Sequence, residues 1–555
     1  MNRRELVALA LLAPFVRSAK GIPFRAPPLR VFADLDHTGR LAGPVNPRTI
    51  RDVDFGIAVP LPTHIADSEL LPARDTENQD IASRLGLLRI DSPDPQVQIS
   101  VSAAGEGSAA LRLYRRAPEG WRRVTTTAGS SWTLQTDERG RVDVGVGVVL
   151  PAATEGEEPP VWPRAFTVQI GAAGVDFQRI PFRVSPFIIP CALDKADEVL
   201  IVARASTADA VTDLKQWSTS TKVAVSTLDA QDPCDQWMQD TMEPGVFAFP
   251  SSSGLIQARG IMSGQRREFG AGAAGLDRQI ADRLSERGQV IVHQSVPRKS
   301  TRWIDWFGNL EVSPPHTDAN GRRFPYGRVI TGRQRELAMH PDALRFLEAQ
   351  GVQWPPIVLD TSWLTIGHVD EIVNFVPART PLGWKVLLPS PLAARNTLDA
   401  LIRRSLGELP VFAGTRDETT VAKLRDGAAA SEENVAIDGT IAGIRDQLQR
   451  ELNIREGDFA MLPCLFNRGR ALMPNTANCL AVNGHLVATQ PKGPRTGEID
   501  LLEEAIRAAL VGCDVDITFI DAWRAYHMAA GEVHCGTNTF RRLKDGAWWR
   551  HIDRR

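Results

Sequence analysis

Three short segments hold the residue types best able to do chemistry: Trp237-Met-Gln-Asp240-Thr-Met-Glu243, Gly367-His368-Val369-Asp370-Glu371 and Gly531-Glu-Val-His-Cys535-Gly-Thr-Asn538. They supply a thiol, an imidazole and several carboxylates. If His368-Val369-Asp370 is extended, the imidazole and the Asp370 carboxylate share a face, because side chains alternate along a strand. Cys535 offers a nucleophile. A sulfur, an imidazole and two carboxylates suit attack on a flat, cationic carbon. A guanidinium is such a target, since its fork of N–H donors matches carboxylates in bidentate fashion. Gly367 and Gly536 would let the main chain come close to a ligand.

These residues need a framework. The chain has 555 residues, 43% hydrophobic and 23% charged, which excludes a mostly disordered polypeptide and predicts two to four domains. Lys plus Arg is 64 and Asp plus Glu is 66, so the net charge of −2 gives no case for nucleic acid as a partner. Six isolated cysteines form no CxxC pair, which argues against a cysteine zinc site and a disulfide scaffold. Residues 1–19 read as an export signal: Arg3 and Arg4, an uncharged stretch from Leu6 to Val16, then small residues. A secreted or periplasmic protein is expected, and a cytoplasmic one if that segment is only a starting helix. No later stretch is apolar for long enough to span a membrane.

From residue 20 to 187 short alternating runs dominate, such as Val97–Val101, Ala110–Tyr114 and Phe166–Ile170, and predict an all-β sandwich. A polar loop at 153–160 falls within it. From residue 188 to 555 apolar strands (Glu198–Ala203, Val290–His293, Trp384–Leu388, Val515–Ile520) alternate with helical patterns at 438–453 and Leu501–Leu510. This α/β part exceeds an ordinary single core, so a repeated, propeller-like build is expected.

From Ile188 onward the sequence resembles the protein-arginine deiminase family. The likeness rests on an ordered series: Trp237-Met-Gln-Asp240, Phe307 to Pro315, Trp363 to Glu371, Asn374 to Ala378, Met473-Pro-Asn475, Gly531 to Asn538 and Trp548-Trp549. It implies an immunoglobulin-like sandwich before a pentein domain, a five-bladed propeller of ββαβ type. It also implies an enzyme that converts arginine in proteins or peptides to citrulline. Cys535 matches the family nucleophile, His368 the general acid/base, and Asp240 and Asp370 the carboxylates that grip the guanidinium. Trp237 matches the wall along the substrate stem, and Arg259 lies where the family holds the substrate's main-chain carbonyl. Positive charge near Cys535 would favour its thiolate. Two other readings are a deiminase or hydrolase of a free guanidino compound (arginine, agmatine, methylarginine) and an inert pentein that binds a partner.

The resemblance also implies Ca²⁺. Gln239, Glu243, Phe307, Leu310 and Glu311 match one ion site of carboxylates and carbonyls, hard oxygen donors of the kind calcium takes. Thr241, Gly254, Leu255 and Ala258 stand where a second site has its ligands, so that ion is not expected. Asp34 and Asp36, in Phe32-Ala-Asp34-Leu-Asp36-His-Thr-Gly39, read as an Asp-rich calcium turn. Oligomeric state is not readable from the sequence.

Overall fold

A computed structural model describes residues 29–41, 43–46, 50–51, 54–61, 63–66, 68–73, 81–105, 107–126, 130–149, 161–172, 178–229, 234–264, 266, 271–286, 290–293 and 302–552. The export-signal stretch and the polar loop at 153–160 lie outside these residues.

The first part is built from strands whose side chains alternate between core and solvent. In Gln98–Ala104 the buried positions are Ile99 and Val101, and in Ser131–Gln135 they are Trp132 and Leu134. These strands pair in a sheet ordered Gly56–Ala58, Gln178–Val184, Ala165–Ala172, Gln98–Ala104, Ser131–Gln135. The facing sheet runs Arg30–Ala33, Gly86–Asp91, Arg141–Val149, Leu111–Ala117, Gly120–Val124, Leu70–Leu71, with Pro60–Leu61 beside Arg141–Val149. Apolar side chains of both sheets meet in one core that includes Leu88, Ile99, Leu113, Val144 and Val168. Phe166 and Phe182 stack there with centroids 5.3 Å apart. The expected strands at Val97–Val101, Ala110–Tyr114 and Phe166–Ile170 form, each starting one residue away and running two or three residues longer.

Beyond Phe187 the described residues form five sheets of three or four strands, and four of them share one plan. In each, an antiparallel pair is followed by a helical crossover to a parallel strand. Met242–Ser251 and Gly254–Ser263 lead through helix Ala271–Glu286 to Val290–His293. Leu310–Val312 and Val329–Gln334 lead through Pro341–Gln350 to Ile357–Asp360. Asn374–Pro377 and Trp384–Ser390 lead through helices that include Glu432–Leu452 to Phe459–Pro463. Leu480–Val482 and His485–Thr489 lead through Leu501–Ala509 to Asp516–Ile520. In the fifth, Lys195–Ala203 crosses by Ala208–Thr221 to the parallel strand Ala224–Asp229, and its antiparallel partner is Thr537–Arg542, the last strand of the chain. The last strand thereby closes onto the first long strand of the α/β part, with Cys535 in the turn just before it.

Helix Glu432–Leu452 starts six residues earlier than the apolar spacing predicts, because Ser431 caps it by accepting from the Asn434 N–H. Its Ile437, Ile441, Ile444 and Leu448 pack on Val386 and Leu388 of the neighbouring sheet. The helix predicted at Leu501–Leu510 is present as Leu501–Ala509, capped by Asp500.

Candidate active site

Asp240 sits on a single helical turn, Met238–Thr241, that feeds directly into the Met242–Ser251 strand. His368 precedes a 3-10 turn, Val369–Glu371, so the segment is not extended, and the face shared by alternation is not what joins His368 to Asp370. Each instead meets a partner from elsewhere in the chain. The His368 Nδ1 lies 3.5 Å from Asp240 Oδ1. The Asp370 Oδ2 lies 3.3 Å from Cys535 Sγ and 3.0 Å from His534 Nδ1. All four predicted groups are buried: relative exposure is 6% at Cys535, 1% at His368, 5% at Asp240 and 1% at Asp370. Trp237 joins them, its ring against Gly531, where an added Cβ would lie 2.6 Å from the indole.

Electrostatics here favour a resting thiol. Burial first, and then the negative charges of Asp370 and Asp240, push Cys535 well above the ordinary thiol range. The charges that act most on the sulfur here are those of acids. Burial lifts Asp240 to about 6, against the pull of His368 and Arg266. Glu371 is raised well above the usual range by burial and by Asp370, and its carboxylate accepts the His368 main-chain N–H at 3.0 Å. A surplus of buried carboxyl groups around a thiol is an environment completed by a cation. The Asp370 Oδ1, which has no hydrogen-bond partner among the described residues, marks where one would be held.

Further residues belong to the cluster that the sequence reading passed over. Asn478, ending the Thr476–Asn478 turn, places Oδ1 3.2 Å from Cys535 Sγ and 3.3 Å from its main-chain N. His534 bridges Asp370 and Glu311, the latter at 3.2 Å. The Trp303 carbonyl accepts from His368 Nε2 at 2.7 Å. His534 was exposed to detection by its place beside Cys535. Asn478 and Trp303 gave no local signal, since only the fold brings them in.

Gln239, Glu243, Phe307 and Glu311 converge next to this cluster. Gln239 Nε2 donates to Glu243 Oε2 at 3.1 Å and to the Phe307 carbonyl at 3.4 Å. Burial and the charge of Glu311 hold Glu243 well above the usual carboxylate range, and burial lifts Glu311 to about 7. Leu310 packs its side chain in the core, leaving only its carbonyl to offer. No three His, Cys, Asp or Glu side chains cluster to hold a metal among the described residues. The set is instead two buried carboxylates, an amide and main-chain carbonyls, a donor chemistry that fits Ca²⁺.

Three other expectations meet different surroundings. Arg259 pairs with Glu198 at 3.2 Å and Asp197 at 3.5 Å, and lies 4.7 Å over the Phe540 ring. Both Asp34 oxygens accept main-chain N–H bonds of their own loop, from Thr38 at 2.9 Å and Gly39 at 2.8 Å, and Asp36 takes the Thr38 hydroxyl at 3.0 Å. Thr241, at the second ion site, accepts from the Arg266 guanidinium at 2.6 Å, which also pairs with Asp277 and Asp235.

The family model described as "Protein-arginine deiminase (PAD)" matches residues 175–550, the span that holds every member of this cluster. The chain belongs to that family. It is similar to protein-arginine deiminase type-4 of Rattus norvegicus, 32% identical over 392 residues, covering 67% of this chain and 57% of the relative. The type-3 protein of Homo sapiens is also 32% identical over 392 residues, with 67% and 56% covered. The chain thus spans little more than half the length of these relatives. A solved agmatine deiminase of C. jejuni superposes with a TM-score of 0.36 at 12% identity, over 64% of this chain and 96% of that one, a likeness too low to bear on the fold.

Proposed function

We propose that this protein hydrolyses the guanidinium of arginine in proteins or peptides, giving citrulline and ammonia. The observation that carries the reading is the convergence of Cys535, His368, Asp240 and Asp370 in one buried cluster of a chain from this family. Arginine arrives as a cation, since its guanidinium stays protonated. Asp240 and Asp370 clasp its N–H forks, where low local dielectric makes the pairing worth more than in water. The incoming positive charge reverses the electrostatics that hold Cys535 as a thiol, so substrate binding favours the thiolate. The sulfur attacks the central carbon, His368 delivers a proton to the departing nitrogen, and ammonia leaves a thiouronium on Cys535. His368 then takes a proton from water, whose oxygen adds to the carbon; the C–S bond breaks and citrulline departs. Trp237 lines the aliphatic stem.

Gln239, Glu243, Phe307, Leu310 and Glu311 would hold Ca²⁺, which supplies the charge balance that two facing carboxylates need. We further read the five sheets as blades of a pentein propeller and the leading sandwich as immunoglobulin-like. The test is an arginine peptide blocked at both ends, followed by mass spectrometry for the +1 Da shift of citrulline and by ammonia release. The intact protein converts it in calcium, and Cys535→Ala reduces release to background with unchanged melting. Turnover of free arginine alone would move the protein to the free-guanidine reading, and full activity of Cys535→Ala would remove the sulfur from the mechanism.

A further inference from the structure

Asp240 belongs to a single helical turn, Met238–Thr241, with Trp237 at its head. A turn that short does not hold itself, because nucleating a helix costs more than its first hydrogen bonds return. Something outside the turn must fix it, and a buried cation lies there. Arg266 follows the strand Gly254–Ser263 and is only 1% exposed. Its Nε donates to Asp277 Oδ1 at 2.9 Å, its Nη1 to Asp235 Oδ2 at 3.1 Å and its Nη2 to the Thr241 hydroxyl oxygen at 2.6 Å. The last two partners both go on to Trp237. Asp235 Oδ1 accepts the Trp237 main-chain N–H at 3.2 Å, and the Thr241 hydroxyl donates to the Trp237 carbonyl at 2.7 Å. Both polar main-chain groups of Trp237 are thus held by side chains that one guanidinium grips. The Arg266 main-chain N–H also donates to Asp277, at 2.6 Å, so an acid of helix Ala271–Glu286 anchors the arginine at both ends. Its guanidinium carbon lies 5.1 Å from the centre of the Trp306 ring, which in turn sits 6.2 Å from the His368 ring. One planar cation therefore backs the turn that bears Trp237 and Asp240 and, through Trp306, the imidazole that faces them. A lysine would carry the same charge, but as a point charge it does not span three acceptors set around a fork.

We propose that Arg266 is a positioning residue: through Asp235 and Thr241 it sets Trp237 and Asp240 at the angle from which a substrate guanidinium meets Cys535. Its kinetic consequence rests on the arginine reaction proposed above; its hold on the turn stands apart from that reading.

The experiment uses the full chain, in calcium, with the arginine peptide blocked at both ends. Thr241→Val keeps the volume and deletes the hydroxyl that joins Arg266 to Trp237, leaving the guanidinium paired with both acids. It should lose about tenfold in kcat with KM within about twofold, since the carboxylates still bind the cation but the carbon sits off the sulfur's line. Thr241→Ser, which keeps the hydroxyl and drops a methyl, should stay within about twofold of wild type. A threonine that merely packs predicts the reverse order, because serine leaves the larger gap. Arg266→Lys should lose about a hundredfold in kcat; should it fail to fold, the two Thr241 variants still decide. Amide hydrogen exchange, read peptide by peptide, gives a measure that needs no turnover. Residues 237–241 should exchange about tenfold faster in Thr241→Val and Arg266→Lys, with helix Glu432–Leu452 at the wild-type rate. Wild-type kcat in Thr241→Val, equal losses in the valine and serine variants, or unchanged exchange at 237–241 overturns the proposal. A wild-type chain that leaves the peptide unconverted sinks the arginine reading instead, and exchange then decides the role of Arg266 by itself.

Discussion

The sulfur of Cys535 is the place where residue-level physics departs most from expectation. A nucleophilic cysteine is commonly set beside a cation, yet here burial and two acids raise its pKa above the model-compound value of 9.0. The sign is fixed by that direction: the neutral thiol dominates at neutral pH, and the thiolate appears only as pH climbs past the ordinary thiol range. Alkylation of Cys535 by iodoacetamide, followed peptide by peptide in the mass spectrometer, should therefore be slow near pH 7 and still be rising through about pH 9. Peptide resolution matters because Cys191, Cys464 and Cys479 are buried thiols raised in the same way. A fast rate independent of pH across that interval would mean that the thiolate is already formed, and that the substrate's charge is not what generates it.

At the scale of the elements, the cluster depends on turns rather than on strand faces. Much of the frame was legible: alternation marked the strands of the sandwich, and helical spacing marked Glu432–Leu452 and Leu501–Ala509, because burial on one face writes a period into the sequence. The motifs around Cys535, His368, Asp240 and Asp370 also singled out four residues that the fold buries in one cluster. Their pairing was not. The 3-10 turn at Val369–Glu371 breaks the alternation, so His368 turns to Asp240 while Asp370 turns to Cys535 and His534. Nor could local sequence foretell that Arg259 would pair with Asp197 and Glu198, acids on a strand some sixty residues away. Gly308 shows how tight the turns are. A Cβ there would lie 2.4 Å from His368 Nδ1 and 2.8 Å from Asp240 Oδ1, and the Gly308 N–H donates to that same oxygen at 3.2 Å. Gly308→Ala should push the imidazole and carboxylate apart and cost roughly a hundredfold in kcat, while the fold survives. Wild-type turnover in that variant would show that the His368–Asp240 spacing is not needed for the reaction.

For the whole molecule, the surplus of buried acid links function to stability. Glu243 comes from one sheet, Glu311 from the next, and His534 ties Glu311 to the closing end of the chain. In the ion-free protein Glu311 is lifted to about 7 and Asp240 to about 6, with Glu243 and Glu371 raised as well, all chiefly by burial. An acid whose folded pKa exceeds its unfolded value binds more protons folded than unfolded across the interval between them. Its contribution is therefore full below the unfolded value, near 4.5 for Glu, and is lost as pH rises through the folded value. His534, raised by the charge of Glu311 and its contacts with Asp370, acts in the same direction, holding stability below its unfolded pKa and losing it above the folded one. The ion-free protein should thus lose melting temperature steadily from about pH 5 to about pH 8. Calcium, taken by deprotonated carboxylates, should reverse this where the acids are charged, so the gain in melting temperature on adding Ca²⁺ should be small near pH 5 and large near pH 8. Replacing Glu243 and Glu311 together by Gln should flatten both trends, because the two facing carboxyl groups are then gone. A calcium gain of equal size at both pH values, or one that persists in the doubly substituted protein, would place the ion elsewhere and break the link between these two acids and the assembly of the site.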